Sequence, residues 1–313
     1  MGKNVSKSSL ARANQDRDYH IFEEYAYYLV SEARQKCANH IFKLGGNVYA
    51  FDSTTIDLCL SVFWWAKFRK KKGGIKVHTL YDVETQIPAF FHITEASVHD
   101  SKVMIEIPYE PSSYYIFDRG YNNFKMLYKI HQIEASFVVR AKKNLGYKSI
   151  QWKRRLPKNV LSDASVLLTG FYPKQYYPEP LRLVKYWDEE QEREFTFITN
   201  AMHISALQIA ELYKNRWQVE LFFKWLKQHL KIKRFWGTTE NAVRIQIYAA
   251  ICAYCLVAII QHDMQLDRST YEVLQILSIS LTDKTYLRDL FNKTKFQNDK
   301  ERFGPNGPSL FNF

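Results

Sequence analysis

Between residues 16 and 38 apolar side chains recur every three or four positions (Tyr19, Phe22, Tyr25, Ala26, Leu29, Val30, Ala33), the spacing of a helix that buries one face, and Gly45-Gly46 ends that region. From Val48 the pattern becomes strand-like. An apolar approach, Val48-Tyr49-Ala50-Phe51, runs into Asp52, and strands are predicted at 75–81 and 87–93 with a turn near Glu84-Thr85. These read as three antiparallel strands. A helix over 99–107 follows, then the strand Tyr114-Tyr115-Ile116-Phe117 ending on Asp118, a helix over 122–133 and a strand over 136–140. That order predicts a mixed α/β sheet.

Residues 142–200 interrupt the alternation with β-rich material, basic and aromatic at its start (Lys148, Trp152, Lys153, Arg154, Arg155). This segment is expected to be a β subdomain inserted in the main fold. Ser205, with Gln208 three positions on, is a capping-box start for a long helix to about residue 231, and a second, mostly apolar helix covers about 241–262.

Asp is depleted in strands and rarely buried without a partner, so Asp52 requires either a cation or a hydrogen-bond donor nearby. Taken alone it reads as a strand-end residue turning the chain. Other acids in matching settings change that reading. On a wheel of about 100° per residue, with Tyr213 at zero, Arg216 falls near −60°, Glu220 near −20° and Lys227 near −40°. This polar stripe borders an apolar one of Leu212, Val219, Phe223, Leu226 and Leu230, which is the core-facing side. Asp52, Asp118 and Glu220 are therefore all expected where strand ends and a packed helix meet, the place where ligands gather in an open α/β sheet. Carboxylate oxygens are the ligands that Mg²⁺ and Mn²⁺ prefer, and clustered acids cannot all stay ionised without a cation between them. The three carboxylates are expected within a few ångströms of shared metal positions.

The 313 residues carry 44 Lys plus Arg against 32 Asp plus Glu, a net charge of +12, and 46% are hydrophobic. That excludes a disordered chain and suits a polyanionic partner such as nucleic acid. The basic run Lys67-Phe68-Arg69-Lys70-Lys71-Lys72-Gly73-Gly74, just after Trp64-Trp65, reads either as a solvated loop or as a grip on phosphates and bases. Four scattered cysteines (Cys37, Cys59, Cys252, Cys255) make no disulfide framework, and a reducing compartment is expected. Cys252-Ala-Tyr-Cys255 has metal-ligand spacing but no second ligand pair, so both are read as buried helix cysteines. His78, His92 and His99 form no zinc motif; His99-Asp100 either lines the site or simply starts a helix. Met1 to Arg17 is polar and basic, and the longest apolar run, 249–260, is shorter than the roughly 20 residues that span a bilayer. A soluble, cytoplasmic protein without a membrane partner is expected.

The acid blocks resemble those of the DDE transposases of bacterial insertion sequences, in the group whose last block reads Tyr-x2-Arg-x3-Glu-x6-Lys. Tyr213, Arg216, Glu220 and Lys227 match all four positions in spacing and identity. Asp52 in AFDSTTIDL matches the first acid block and Asp118 in IFDRGYNN the second, over a resemblance covering about 48–260. It implies an RNase H-like catalytic domain of residues 47–141 and 201–262, flanked by helices, with residues 142–200 as the β-rich insertion. Residues 1–46 would be a short helical segment where members usually carry a larger DNA-end-binding domain, and residues 263–313 a helical tail.

The resemblance further implies that Asp52, Asp118 and Glu220 hold two Mg²⁺ ions, with Mn²⁺ as substitute. Tyr213, Arg216 and Lys227 would grip the phosphates of the transposon end, and a phosphodiester held there would need Lys224, Lys70, Lys71 and Lys72 on the same face. Trp217 reads equally as a stacking partner for a flipped base or as a core aromatic. The implied partners are double-stranded DNA, both terminal repeats and target, and a second copy of the chain in the DNA complex. The implied activity is strand cleavage and strand transfer in cut-and-paste transposition; the rival is a DNA-binding descendant of a transposase that has lost catalysis.

Overall fold

Chain order begins with two helices, α1 (Lys7–Asp16) and α2 (His20–Lys36), then β1 (Val48–Leu58), β2 (Lys67–Arg69), β3 (Lys72–Asp82) and β4 (Ile87–Glu95). After these come α3 (Asp100–Val103), β5 (Tyr114–Phe117), α4 (Phe124–Gln132) and β6 (Ser136–Arg140), with 3-10 turns at Met104–Glu106 and Arg119–Tyr121. This is the computed structural model of the chain, and it describes residues 5–38, 41–69, 72–229, 235–280 and 285–293. The chain divides into two units, Met1–Leu256 and Val257–Phe313.

The mixed sheet expected from the strand order is present. β1 runs antiparallel to β3, from Tyr49 opposite Asp82 to Leu58 opposite Gly73, and parallel to β5, but only from Val48 opposite Tyr114 to Phe51 opposite Phe117. β4 pairs β3 antiparallel and β6 pairs β5 parallel. One expectation needs correcting here: β1 does not end at Asp52. It continues for six residues to Leu58 because β3 still offers a ladder on one side after β5 has stopped on the other. Asp52 is thus the first residue past the end of a parallel neighbour.

The basic run forms a hairpin of β2 against β3, not a free loop; Lys70 and Lys71 lie outside the described residues. Ahead of β1, Gly46 is required by crowding, since a Cβ there would stand 1.9 Å from the Ser112 carbonyl oxygen.

The inserted segment supplies β7 (Tyr147–Trp152), β8 (Val160–Leu168), a short helix α5 (Phe171–Tyr176), β9 (Leu181–Asp188) and β10 (Arg193–Thr199). These strands do not form a sheet of their own. β10 pairs antiparallel with β6, so the sheet runs on as β3-β1-β5-β6-β10-β9-β8-β7. An open edge on β6 carries unpaired backbone groups, and β10 satisfies them. The core between this sheet and α3 and α4 is built from Phe51, Tyr115, Phe117, Phe137, Leu127 and Ile130, all fully buried.

The capping box forms as expected: the Ser205 hydroxyl accepts from Gln208 N–H at 3.1 Å and the Gln208 side chain accepts from Ser205 N–H at 2.8 Å. The helix it starts is divided in two, α6 (Ala206–Asn215) and α7 (Trp217–His229), with Arg216 between them. The Arg216 N–H bonds to the Tyr213 carbonyl three residues back, so the chain tightens for one turn there. Leu212, Val219, Phe223 and Leu226 are buried as the wheel predicts; Leu230 lies outside the described residues. Phe222 is buried as well, its ring 4.9 Å from that of Tyr254, so the core face is wider than one stripe.

Tyr254 belongs to α8 (Glu240–Asp263), which by length and composition is able to cross a membrane. Within the first unit its Tyr248 hydroxyl bonds Glu23, and the Tyr254 hydroxyl donates to the Gln86 carbonyl at 2.9 Å. Cys252 and Cys255 are buried in this helix, and none of the four cysteines forms a disulfide. In the second unit, α9 (Thr270–Ser280) and α10 (Leu287–Lys293) follow, and Val257, Val273, Ile276 and Phe291 form a small core.

Candidate active site

Three elements deliver the acids. Asp52 lies on β1 just beyond the last residue paired with β5, Asp118 directly follows β5, and Glu220 sits in the first turn of α7. Arg216 joins two of them. Its Nη1 donates to Asp52 Oδ2 at 2.6 Å and its Nη2 to Glu220 Oε1 at 2.6 Å, with the arginine side chain only 15% exposed. The third acid is held by the same helical block, since the Tyr213 hydroxyl donates to Asp118 Oδ1 at 2.9 Å. Tyr213 packs in turn on Phe197 of β10, with ring centroids 4.7 Å apart. The strand that closes the β6 edge thus also seats the tyrosine.

The electrostatics follow from burial. Desolvation pushes the Asp52 carboxyl up to about 6, while Arg216 and the Ser53 N–H, which donates to Asp52 Oδ1 at 2.8 Å, pull against it and Glu220 and Asp118 add to the rise. Burial, together with the neighbouring Asp118 charge, raises the Tyr213 phenol to about 12, so the phenol stays a donor. Burial works against the charged Arg216, but the carboxylates of Asp52 and Glu220 more than offset it and the guanidinium is held firmly protonated.

This donor set suits a divalent cation. Hard carboxylate oxygens of Asp52 and Glu220 meet at one guanidinium, which stands between them in the role of a cation, and the charge of Asp118 is felt at Asp52. The Arg216 Nε is buried with no hydrogen-bond partner among the described residues. The carboxylates do not converge as expected on a shared ion position: among the described residues no three His, Cys, Asp or Glu side chains are set to hold a metal. Arg216 occupies the space between Asp52 and Glu220 instead.

Of the other residues singled out, Trp217 is 53% exposed at the start of α7, which removes the core-aromatic reading. Lys224, two turns on, is exposed too, and Lys227 is half-buried. The backbone of Lys72 opens β3, while Lys70 and Lys71 fall outside the described residues. His78 is fully buried and its ring stands 6.4 Å from that of His92; burial holds the His78 imidazole down to about 4, so it is neutral. Ser53, next to Asp52 in the chain, donates to Asp100 Oδ1 at 2.8 Å, and Lys76 closes the cluster. The motif His99-Asp100 hinted at this; Lys76 had no signal beyond its strand.

Comparison with known proteins agrees with the acid blocks. The Transposase DDE domain family matches residues 43–256, more than half of the chain. The chain belongs to the DDE transposases. These are DNA-cutting enzymes whose catalytic domains use divalent metal ions. The y4zB protein of Sinorhizobium fredii, which carries the name of a transposase, is 37% identical over 246 residues, 76% of this chain and 67% of its own length. A protein of Geobacillus stearothermophilus named as a transposase for insertion sequence element IS5377 is 27% identical over 80% of this chain and 66% of its own. A Synechocystis protein named for element IS4SA is 25% identical over 92% and 83%. The chain thus spans about two thirds of the length of the first two relatives.

Proposed function

We infer that this DDE transposase binds the double-stranded ends of an insertion sequence, cleaves them with divalent metal, and joins the freed 3′ ends to new DNA. The observation that carries this reading is the Arg216 guanidinium drawn between Asp52 and Glu220, with Asp118 held by the same helical block through Tyr213. Asp52, Asp118 and Glu220 would hold Mg²⁺, or Mn²⁺ in its place, as a pair of ions. Such ions, when bound, activate water on one side of a phosphodiester and stabilise the departing 3′ oxygen on the other.

The chain's own residues then have distinct tasks. Asp52, whose carboxyl burial pushes up to about 6, keeps its charge beside a cation, here the Arg216 guanidinium. The Tyr213 hydroxyl orients Asp118 by a directed hydrogen bond. Arg216, released from the two acids, presents a planar fork that matches a phosphate group. Lys227, the exposed Lys224 and the lysines Lys70, Lys71 and Lys72 would share the backbone contacts, and Trp217, exposed beside Arg216, offers a face for base stacking. A homodimer holding two element ends in the bacterial cytoplasm, at nucleoid DNA, completes the reading; the net charge of +12 and four cysteines that form no disulfide support it. Water attacks first at the element end, and the 3′ hydroxyl so freed attacks the opposite strand or target DNA.

The direct test is to incubate the protein with duplex DNA carrying the repeats that flank its gene, with Mn²⁺, and to sequence the broken ends. Breaks ending in 3′ hydroxyls at the repeat boundary are expected; intact boundaries under conditions that support DNA binding overturn the reading. Arg216→Ala supplies a second test. It removes the guanidinium that competes for Asp52 and Glu220, so Mn²⁺ should bind several-fold more tightly without DNA. It also removes a charged hydrogen bond to phosphate, so affinity for end DNA should fall by about 1.5–3 kcal/mol, or roughly 10- to 150-fold. Electron paramagnetic resonance of free Mn²⁺ and fluorescence anisotropy of labelled duplex read the two effects separately.

A further inference from the structure

Beside the three acids lies a second polar cluster that the steps above do not use. Ser53 donates its hydroxyl to Asp100 Oδ1 at 2.8 Å, and Lys76 Nζ stands 3.0 Å from the same oxygen while donating to the Val98 carbonyl at 2.8 Å. His78, opposite Ser53 in the β1–β3 register, turns its Nδ1 toward that oxygen at 3.9 Å, and its Nε2 lies 3.0 Å from Thr94 Oγ1. The buried Tyr121 hydroxyl faces the Ser53 side chain and feels the charges of both Asp52 and Asp100.

Asp100 is not occupied as a helix cap. His99 caps α3, its ring nitrogen accepting the Ser101 N–H at 3.3 Å, which leaves the Asp100 carboxylate for the β1 and β3 side chains. Burial pushes that carboxyl up, but the bonds from Ser53 and Lys76 outweigh it and hold the group below its usual range, so Asp100 is charged and balanced by Lys76.

The register explains why Ser53 needs an anchor. Asp52 and Ser53 point to opposite faces of β1, and β5 has stopped pairing at Phe51. The Ser53 N–H, without a β5 partner, donates to Asp52 Oδ1 instead. Whatever pins Ser53 on one face therefore sets the Asp52 carboxylate on the other.

We propose that Asp100 is a positioning residue for the transposase reaction: paired with Lys76, it holds the Ser53 hydroxyl and through the Ser53 peptide fixes the direction of the Asp52 carboxylate. This rests on the reading of Asp52 as a metal ligand. Residues that orient a ligand from behind typically change metal affinity 10- to 100-fold when altered.

The test titrates Mn²⁺ into the full chain, following the resonance signal of the free ion, with non-specific duplex affinity measured in parallel by anisotropy. Asp100→Asn should raise the half-saturating Mn²⁺ concentration about tenfold while duplex affinity stays within about twofold. Ser53→Ala should give the same shift, Ser53→Thr should restore the wild-type value, and the double variant Ser53→Ala/Asp100→Asn should shift no further than either single change, because both act through one bond. Wild-type Mn²⁺ binding in Ser53→Ala, or shifts that multiply in the double variant, overturns the proposal; if Asp100→Asn does not fold, Ser53→Ala decides it alone. Asp52→Asn separates the two levels. If it leaves Mn²⁺ binding unchanged, the metal reading falls and takes this inference with it; if it weakens binding where Ser53→Ala and Asp100→Asn do not, only this inference falls.

Discussion

Glu220→Gln is expected to lower cleavage of end DNA by on the order of 10³-fold or more while DNA binding persists. The substitution keeps the side chain's size and removes its charge, and a metal ion's stabilisation of the reacting oxygens is worth several kcal/mol, at about 1.4 kcal/mol per tenfold in rate. Binding rests on other groups. Lys224 and Arg216 remain, and Arg216 loses one of its two acidic partners, the 2.6 Å bond to Glu220, so its guanidinium is freer to meet phosphate. Duplex affinity should therefore hold or rise slightly. Cleavage of repeat-bearing DNA at the wild-type rate would remove α7 from the catalytic machinery.

The second large effect is on stability and lies in the inserted strands. Arg182 on β9 and Asp163 on β8 form a bidentate pair at 2.8 and 2.7 Å, with side chains only 2% and 3% exposed. The remaining nitrogen of Arg182 donates to the carbonyls of Ala201 and Ile204, at 3.2 and 2.6 Å, just ahead of the Ser205 cap of α6. Arg182→Met leaves a buried carboxylate and two carbonyls without this donor, so a loss of about 3–5 kcal/mol is expected. That corresponds to a fall in melting temperature on the order of 10 °C for a domain of this size. Asp163→Asn should cost less, because the two carbonyl bonds survive and the asparagine oxygen still accepts one.

The pH dependence of that loss has a definite sign. Burial raises the Asp163 carboxyl, but Arg182 and Lys153 outweigh it and hold it below 3.8. A carboxyl lowered in the folded state contributes stability above its unfolded value, and that contribution disappears as pH falls through the folded value. The gap between the wild type and Arg182→Met should be widest at neutral pH and close as the solution is acidified below 3.8, through the lowered folded value. A gap that widens on acidification contradicts the assignment. Calorimetry or circular dichroism melts across pH 3 to 7 measure it.

The one-dimensional pattern of the chain determined much of this. Alternating and helical periodicities specified the order of strands and helices, because burying one face of each element is a local requirement that the residues themselves state. Ser205 and Gln208 specified a helix start, since both partners of a capping box lie within four residues. The spacing of Tyr213, Arg216, Glu220 and Lys227 specified one stripe on that helix, and the Arg216–Glu220 bond spans one turn of it. What the local pattern did not contain are relations between distant segments. That β1 runs past Asp52 depends on β3 outlasting β5 as a neighbour, and that the inserted strands extend the main sheet depends on β6 offering an open edge. The meeting of Arg216 with Asp52, 164 positions away, and of Asp100 with Ser53, 47 positions away, arises only when the sheet and the helices close on each other. A charge buried in that closure must find a partner from whatever segment arrives there, and only tertiary packing decides which segment that is.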